Sequence, residues 1–103
     1  ATMTGGIPDA YYSGNKSDLW VEYKLLNKLP KRQSTLLIPK LSGLQSKWLK
    51  DRYTEGRNVA VILGHLGGSY IFTNLEWEAG ITQDKLTLSR SDLAQWIIQQ
   101  VNN

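Results

Sequence analysis

Between Asp18 and Leu26 the side chains follow a period of two. Leu19, Val21, Tyr23 and Leu25 fall on one side and Trp20, Glu22 and Lys24 on the other, the period-two pattern of a β-strand. A strand with an apolar face has to bury it, so this stretch demands a sheet with a second layer against it. The same alternation sets a carboxylate beside an ammonium. Residues i and i+2 of a strand share a face, about 6.5–7 Å apart at Cα, and here they are Glu22 and Lys24.

The flanking segments supply the rest of the fold. Thr4-Gly5-Gly6 reads as a turn, and Pro8 suits a strand's first residue because its missing N–H is not needed there. Ala10–Tyr12 is a short strand and Ser13–Lys16 has hairpin chemistry. Residues 27–41 form a linker with two prolines, a basic cluster and a short extended piece at Thr35–Ile38. Ser42-Gly43-Leu44-Gln45 matches a capping box, so a helix opens there with Leu44, Trp48 and Leu49 as its inner stripe and Gly56 as its stop. Residues 58–63 are a buried strand, Gly64–Gly68 a glycine-rich turn and Ser69–Phe72 a further strand. A last helix runs from about Ser91 to Val101 on a stripe of Leu93, Trp96, Ile97 and Val101. This order predicts a small α/β fold, one domain over residues 1–103, with a mixed β-sheet flanked by helices.

Inventory narrows the chemistry. The 103 residues include no cysteine, which excludes disulfides, thiolate zinc sites and cysteine nucleophiles. The single histidine, His65, argues against histidine-based zinc sites and Ser-His-Asp triads. No apolar run is long enough to span a bilayer and no signal-peptide pattern opens the chain, so a cytoplasmic protein is expected. Charge is unevenly spread. Nine basic side chains lie between Lys24 and Arg57 against Asp51 and Glu55, giving that segment +7 in a chain whose net charge is +3. Lys28, Lys31, Arg32, Lys40 and Lys47 in this stretch are candidates for DNA phosphates.

A basic segment next to paired carboxylates suits metal-dependent phosphodiester cleavage. If the Asp9 strand lies beside the Glu22 strand, both acids converge on one Mg²⁺ or Mn²⁺, with the Tyr23 carbonyl positioned as a third oxygen. Lys24 would then neutralise charge at the scissile phosphate. Taken singly, each residue also has an ordinary role. Glu22 and Lys24 make a solvated strand pair, Asp9 caps a turn, Gln45 at N3 serves the helix cap, Trp48 is core and His65 belongs to a turn. Trp20 fits either the site's flank or a partner surface.

Four blocks, taken in order, carry a more specific signal: Gly6-Ile7-Pro8-Asp9, Trp20-Val21-Glu22-Tyr23-Lys24, Leu41 to Leu49, and Gly56 to Ile62. Over roughly residues 5–63 the chain resembles the PD-(D/E)xK nucleases, specifically the small VRR-NUC group related to Holliday-junction resolvases. The resemblance implies a restriction-endonuclease-like core with Asp9 and Glu22 as metal ligands, Lys24 as the catalytic lysine and Gln45 at the edge of the site. It implies a Mg²⁺-dependent DNA endonuclease selective for branched DNA, a homodimer, and a phage or bacterial setting. Family members carry an N-terminal helix with a further glutamate, whereas eight residues precede Asp9 here. That acid belongs to a missing segment or a second subunit, or the site does without it. Two other functions fit the same residues: a sequence-specific restriction or homing nuclease, and a non-cleaving DNA-binding module.

Overall fold

The computed structural model describes residues 5–103. Four strands form one sheet in the order β1-β2-β3-β4: β1 Ala10–Ser13, β2 Asp18–Leu25, β3 Val59–His65 and β4 Gly68–Phe72. β1 and β2 pair antiparallel, as do β3 and β4, while the central β2 and β3 run parallel. A parallel pair needs a crossover. The chain supplies it through a long connection and helix α1, Gly43–Thr54. Helix α2, Arg90–Val101, packs on the opposite face. The mixed α/β architecture expected from the sequence is therefore the one observed. No helix of the described residues is long and apolar enough to cross a membrane.

β3 is buried along almost its whole length because its two faces serve two cores. Val59, Val61 and Leu63 join Leu49 of α1, Phe72 of β4, and Leu37 and Trp77 from the two long connections. Ala60 and Ile62 join Leu19, Val21 and Val101, with Leu93, Trp96 and Ile97 of α2 packed around them. Glu22 is the exception among these apolar side chains, a carboxylate only 2% exposed on the α1 face of β2.

Several boundaries differ from expectation for clear reasons. β3 continues through Gly64 and His65, which pair with Ser69 and Gly68, so the turn shrinks to Leu66-Gly67. His65 is thus a strand residue, and its Nδ1 donates to the Leu26 carbonyl at 2.9 Å. Leu44 is not part of the inner stripe of α1. It is 51% exposed, whereas Leu49 is fully buried and Trp48 half-buried. α2 starts one residue before Ser91, after an N-cap at Ser89 in a capping box with Asp92. Of Thr35–Ile38 only Leu37 pairs, bridging to Ile81 in the connection 73–89. Thr4 lies outside the described residues, while Gly5 and Gly6 do form a turn.

That turn matters for the site. Gly6 has φ +86°, and a Cβ there would collide with the Leu44 carbonyl at the start of α1. Glycine therefore lets the segment before Asp9 lie directly on the helix N-terminus. At the other end of β1, residues 101–103 fold back onto the β1–β2 loop. The Val101 carbonyl accepts from the Lys16 and Ser17 amides at 2.8 and 3.2 Å, and Asn102 Oδ1 accepts from the Asn15 amide at 3.1 Å.

Candidate active site

Continuing the β1–β2 register by one residue sets Asp9 opposite Glu22. Two hydrogen bonds cross this junction. The Asp9 amide donates to Glu22 Oε1 at 3.2 Å, and the Tyr23 amide donates to Asp9 Oδ2 at 2.9 Å. The next position in the same register sets Pro8 opposite Tyr23, and proline has no N–H to give. In an antiparallel pair a residue's N–H and C=O point to the same edge, so the Tyr23 carbonyl faces Asp9 as its amide does. The Tyr23 side chain points the other way, with its hydroxyl 2.7 Å from that of Tyr12 beneath α2. Burial and then the Tyr12 hydrogen bond push its pKa well up, so Tyr23 offers the carboxylate site only its backbone.

Lys24 and Gln45 complete the group. Lys24 Nζ lies 3.3 Å from Glu22 Oε2 and donates to Gln45 Oε1 at 3.1 Å. Gln45 Nε2 donates to Glu22 Oε2 at 2.9 Å. The same Gln45 Oε1 accepts from the Ser42 amide at 3.0 Å, and Ser42 Oγ accepts from the Gln45 amide at 3.1 Å. Gln45 therefore acts as the capping-box residue of α1 and as the link between the helix and the β2 side chains. The ordinary capping role is present here, together with a contact to Glu22 and Lys24.

Electrostatics explains why these contacts are present. Removing the Glu22 carboxyl from water raises its pKa, and the nearby Asp9 charge raises it further. Lys24 and the Asp9 amide oppose that rise. Two neighbouring carboxylates that repel each other are the oxygen donors a hard divalent cation favours. Among the described residues no group of three or more His, Cys, Asp or Glu gathers in one place. The oxygens that could hold a cation here are those of two acids and the Tyr23 carbonyl, a small set of the kind Mg²⁺ accepts because it keeps waters and substrate oxygens.

The candidate DNA-binding cations lie elsewhere. Lys28, Lys31, Arg32 and Lys40 are exposed along the connection between β2 and α1. Lys47 is exposed on α1, and its ammonium pairs with Asp51 at 2.7 Å, so its charge is largely compensated. Sequence reasoning placed Ser42 in the helix cap only, where its amide and hydroxyl hold Gln45. It also left Trp20 undecided. Trp20 packs between Tyr11, centroids 4.4 Å apart, and Trp48, 5.0 Å apart, beside the carboxylates. The alternation of β2 puts Trp20 on the Glu22 face, but nothing in the sequence brings Trp48 to it. Comparison of the chain with family models, curated proteins and solved structures finds no match.

Proposed function

We propose that the protein is a metal-dependent phosphodiesterase acting on DNA, with Asp9, Glu22, Lys24 and Gln45 as its working residues. The observation that carries this reading is the single hydrogen-bonded constellation in which two repelling carboxylates, a lysine and a glutamine meet beside a backbone carbonyl. Asp9, Glu22 and the Tyr23 carbonyl would hold Mg²⁺ or Mn²⁺, which when bound supplies charge stabilisation on the phosphate oxygens. Lys24, 26% exposed, is the positive charge that would face the negative charge growing on the phosphate. Gln45 fixes Lys24 from the helix side, so the ammonium is oriented before substrate arrives. Among the described residues Asp9 Oδ1 accepts no hydrogen bond, which leaves it free to take a proton from the attacking water. That water adds to phosphorus as one ester bond breaks, and the leaving oxygen ends protonated from solvent.

The exposed cations Lys28, Lys31, Arg32 and Lys40 support a polyanionic substrate, and the resemblance to junction resolvases supports branched DNA and a homodimer. The test is cleavage of labelled four-way junction, flap, single-stranded and plain duplex DNA with Mg²⁺ or Mn²⁺. EDTA and Lys24→Ala serve as controls. Metal-dependent cutting that falls about a hundredfold or more in Lys24→Ala is the expected result. Equal DNA binding by both proteins with no cutting by either would replace the enzyme with a non-cleaving DNA-binding module.

A further inference from the structure

From Glu22 the α1 face of β2 continues through Trp20 to Asp18, about 13 Å back along the strand at about 3.3 Å per residue. There it opens into a polar hollow of about 440 Å³. Trp20 forms one wall. The β1–β2 loop supplies Lys16, the first residue of β2 is Asp18, and the connection from α1 to β3 supplies Arg57 and Asn58. The volume falls within the range of about 300–1,000 Å³ usual for small-ligand sites.

Its lining has three chemical parts. The first is aromatic. Trp20 lines the hollow; Tyr11, 48% exposed and not itself a lining residue, tilts against it while Trp48 backs it edge-on, so the Trp20 ring is held from both sides. The second is cationic. Lys16 and Arg57 stand at the rim, and Arg57 reaches its nearest acid, Glu55, only at 3.6 Å. The third is an acceptor. Asp18 takes a hydrogen bond from Ser13 Oγ at 3.0 Å and is held below the usual carboxylate range by Tyr11 and Ser13.

An acid among cations is out of place in a groove that only tracks phosphates. It fits a site that reads the N–H groups of a base while the cations hold its phosphate. Stacking on Trp20 requires a base whose face is free, which excludes one stacked in a duplex. We propose that this hollow binds one unpaired DNA nucleotide flanking the cut, about 13 Å along β2 from Glu22. The base lies against Trp20, which Tyr11 supports, its N–H donors meet Asp18, and its phosphates meet Arg57 and Lys16. This rests on the nuclease reading for its position relative to the cut, but not for binding itself.

The experiment measures binding without divalent metal, so cleavage does not intervene. A short oligodeoxythymidine carrying one 2-aminopurine is titrated with the protein, alongside the fully paired duplex of the same strand. Stacking in the hollow quenches the 2-aminopurine of the single strand. Tyr11→Leu and Arg57→Gln, both at exposed positions, each weaken single-strand binding about tenfold and leave duplex binding unchanged. An unquenched probe, or variants that weaken both DNAs alike or neither, would overturn the proposal. Cutting with Mg²⁺ by a protein whose variants keep full single-strand affinity would remove the subsite and leave the nuclease. Selective weakening without any cutting would do the reverse.

Discussion

Gln45 offers a direct test of how the helix and the carboxylates are joined. Its side chain accepts from the Ser42 amide and donates to the buried Glu22 carboxylate. The first bond is an ordinary one, contributing about 1 kcal/mol, and the second, to a charged group, about 1.5–3 kcal/mol. Gln45→Ala removes both and is expected to cost about 2.5–4 kcal/mol, a drop in Tm of about 10 °C or more. Gln45→Glu is more informative, because glutamate serves a capping box as well as glutamine does. It keeps the bond from the Ser42 amide but has no N–H for Glu22, and at neutral pH it faces that group with a second negative charge. The new pair of carboxyls titrates above the ordinary value in the folded protein, since burial and like charge both favour the neutral form. The folded state then holds a proton that the unfolded chain has released. The penalty is therefore small near pH 4.5, the ordinary value for glutamate, and grows as pH rises through the folded pKa. Urea denaturation of wild type and both variants at neutral pH and near pH 4.5 measures this. Gln45→Glu should lose about 1.5–3 kcal/mol at neutral pH and recover on acidification, while Gln45→Ala should not recover. A Gln45→Glu protein as stable as wild type at neutral pH, or equally impaired at both, would refute the reasoning.

Three further expectations follow from the same geometry. Asp9→Asn removes the charge that raises the Glu22 pKa after desolvation, so that pKa falls part of the way back in a carboxyl NMR titration. Because a raised carboxyl pKa gives stability present below about pH 4.5 and lost as pH rises, the variant's loss across that window is shallower. Leu49→Ala leaves a cavity in the α1 core and costs about 2–5 kcal/mol, whereas Leu44→Ala costs under about 1 kcal/mol, both read from denaturation midpoints. Leu66→Gly raises Tm, since Leu66 is 88% exposed at φ +50° and its replacement relieves about 1 kcal/mol of backbone strain.

What the sequence revealed and what it hid follow from range. Local periodicity located β2 and both helices, because alternation and capping are decided within a few residues. Ser42-x-x-Gln45 was readable as a cap for that reason. Its contact with the strand was suggested only by the resemblance and not by local pattern, since the partners of Gln45 lie 21 and 23 residues away on β2. The inner face of α1 was misjudged at Leu44 because the first turn sits over the Gly5-Gly6 turn rather than over the sheet. The connection 73–89 gave no periodic signal, yet it buries Trp77 and pairs Ile81 with Leu37. Its order comes from long-range contacts alone. Gly64 and His65 looked like a turn because glycines cluster there, but the pairing of His65 with Gly68 carries the strands almost to the tip.

The clasp between residues 101–103 and the β1–β2 loop has a consequence for the order of events in folding. Asn15 and Asn102 are 87 residues apart, so their contact closes a loop of almost the whole chain. Such a closure is entropically costly until the sheet and α2 already hold its ends near each other. It therefore forms late, and it can release without disturbing the β2–β3 ladder. Because the clasped loop also carries Lys16, that edge of the polar hollow gains a breathing motion that the Glu22 end, in the middle of β2, does not share. Amide exchange at Asn15, Lys16 and Ser17 would register that motion well before the centre of the sheet opens.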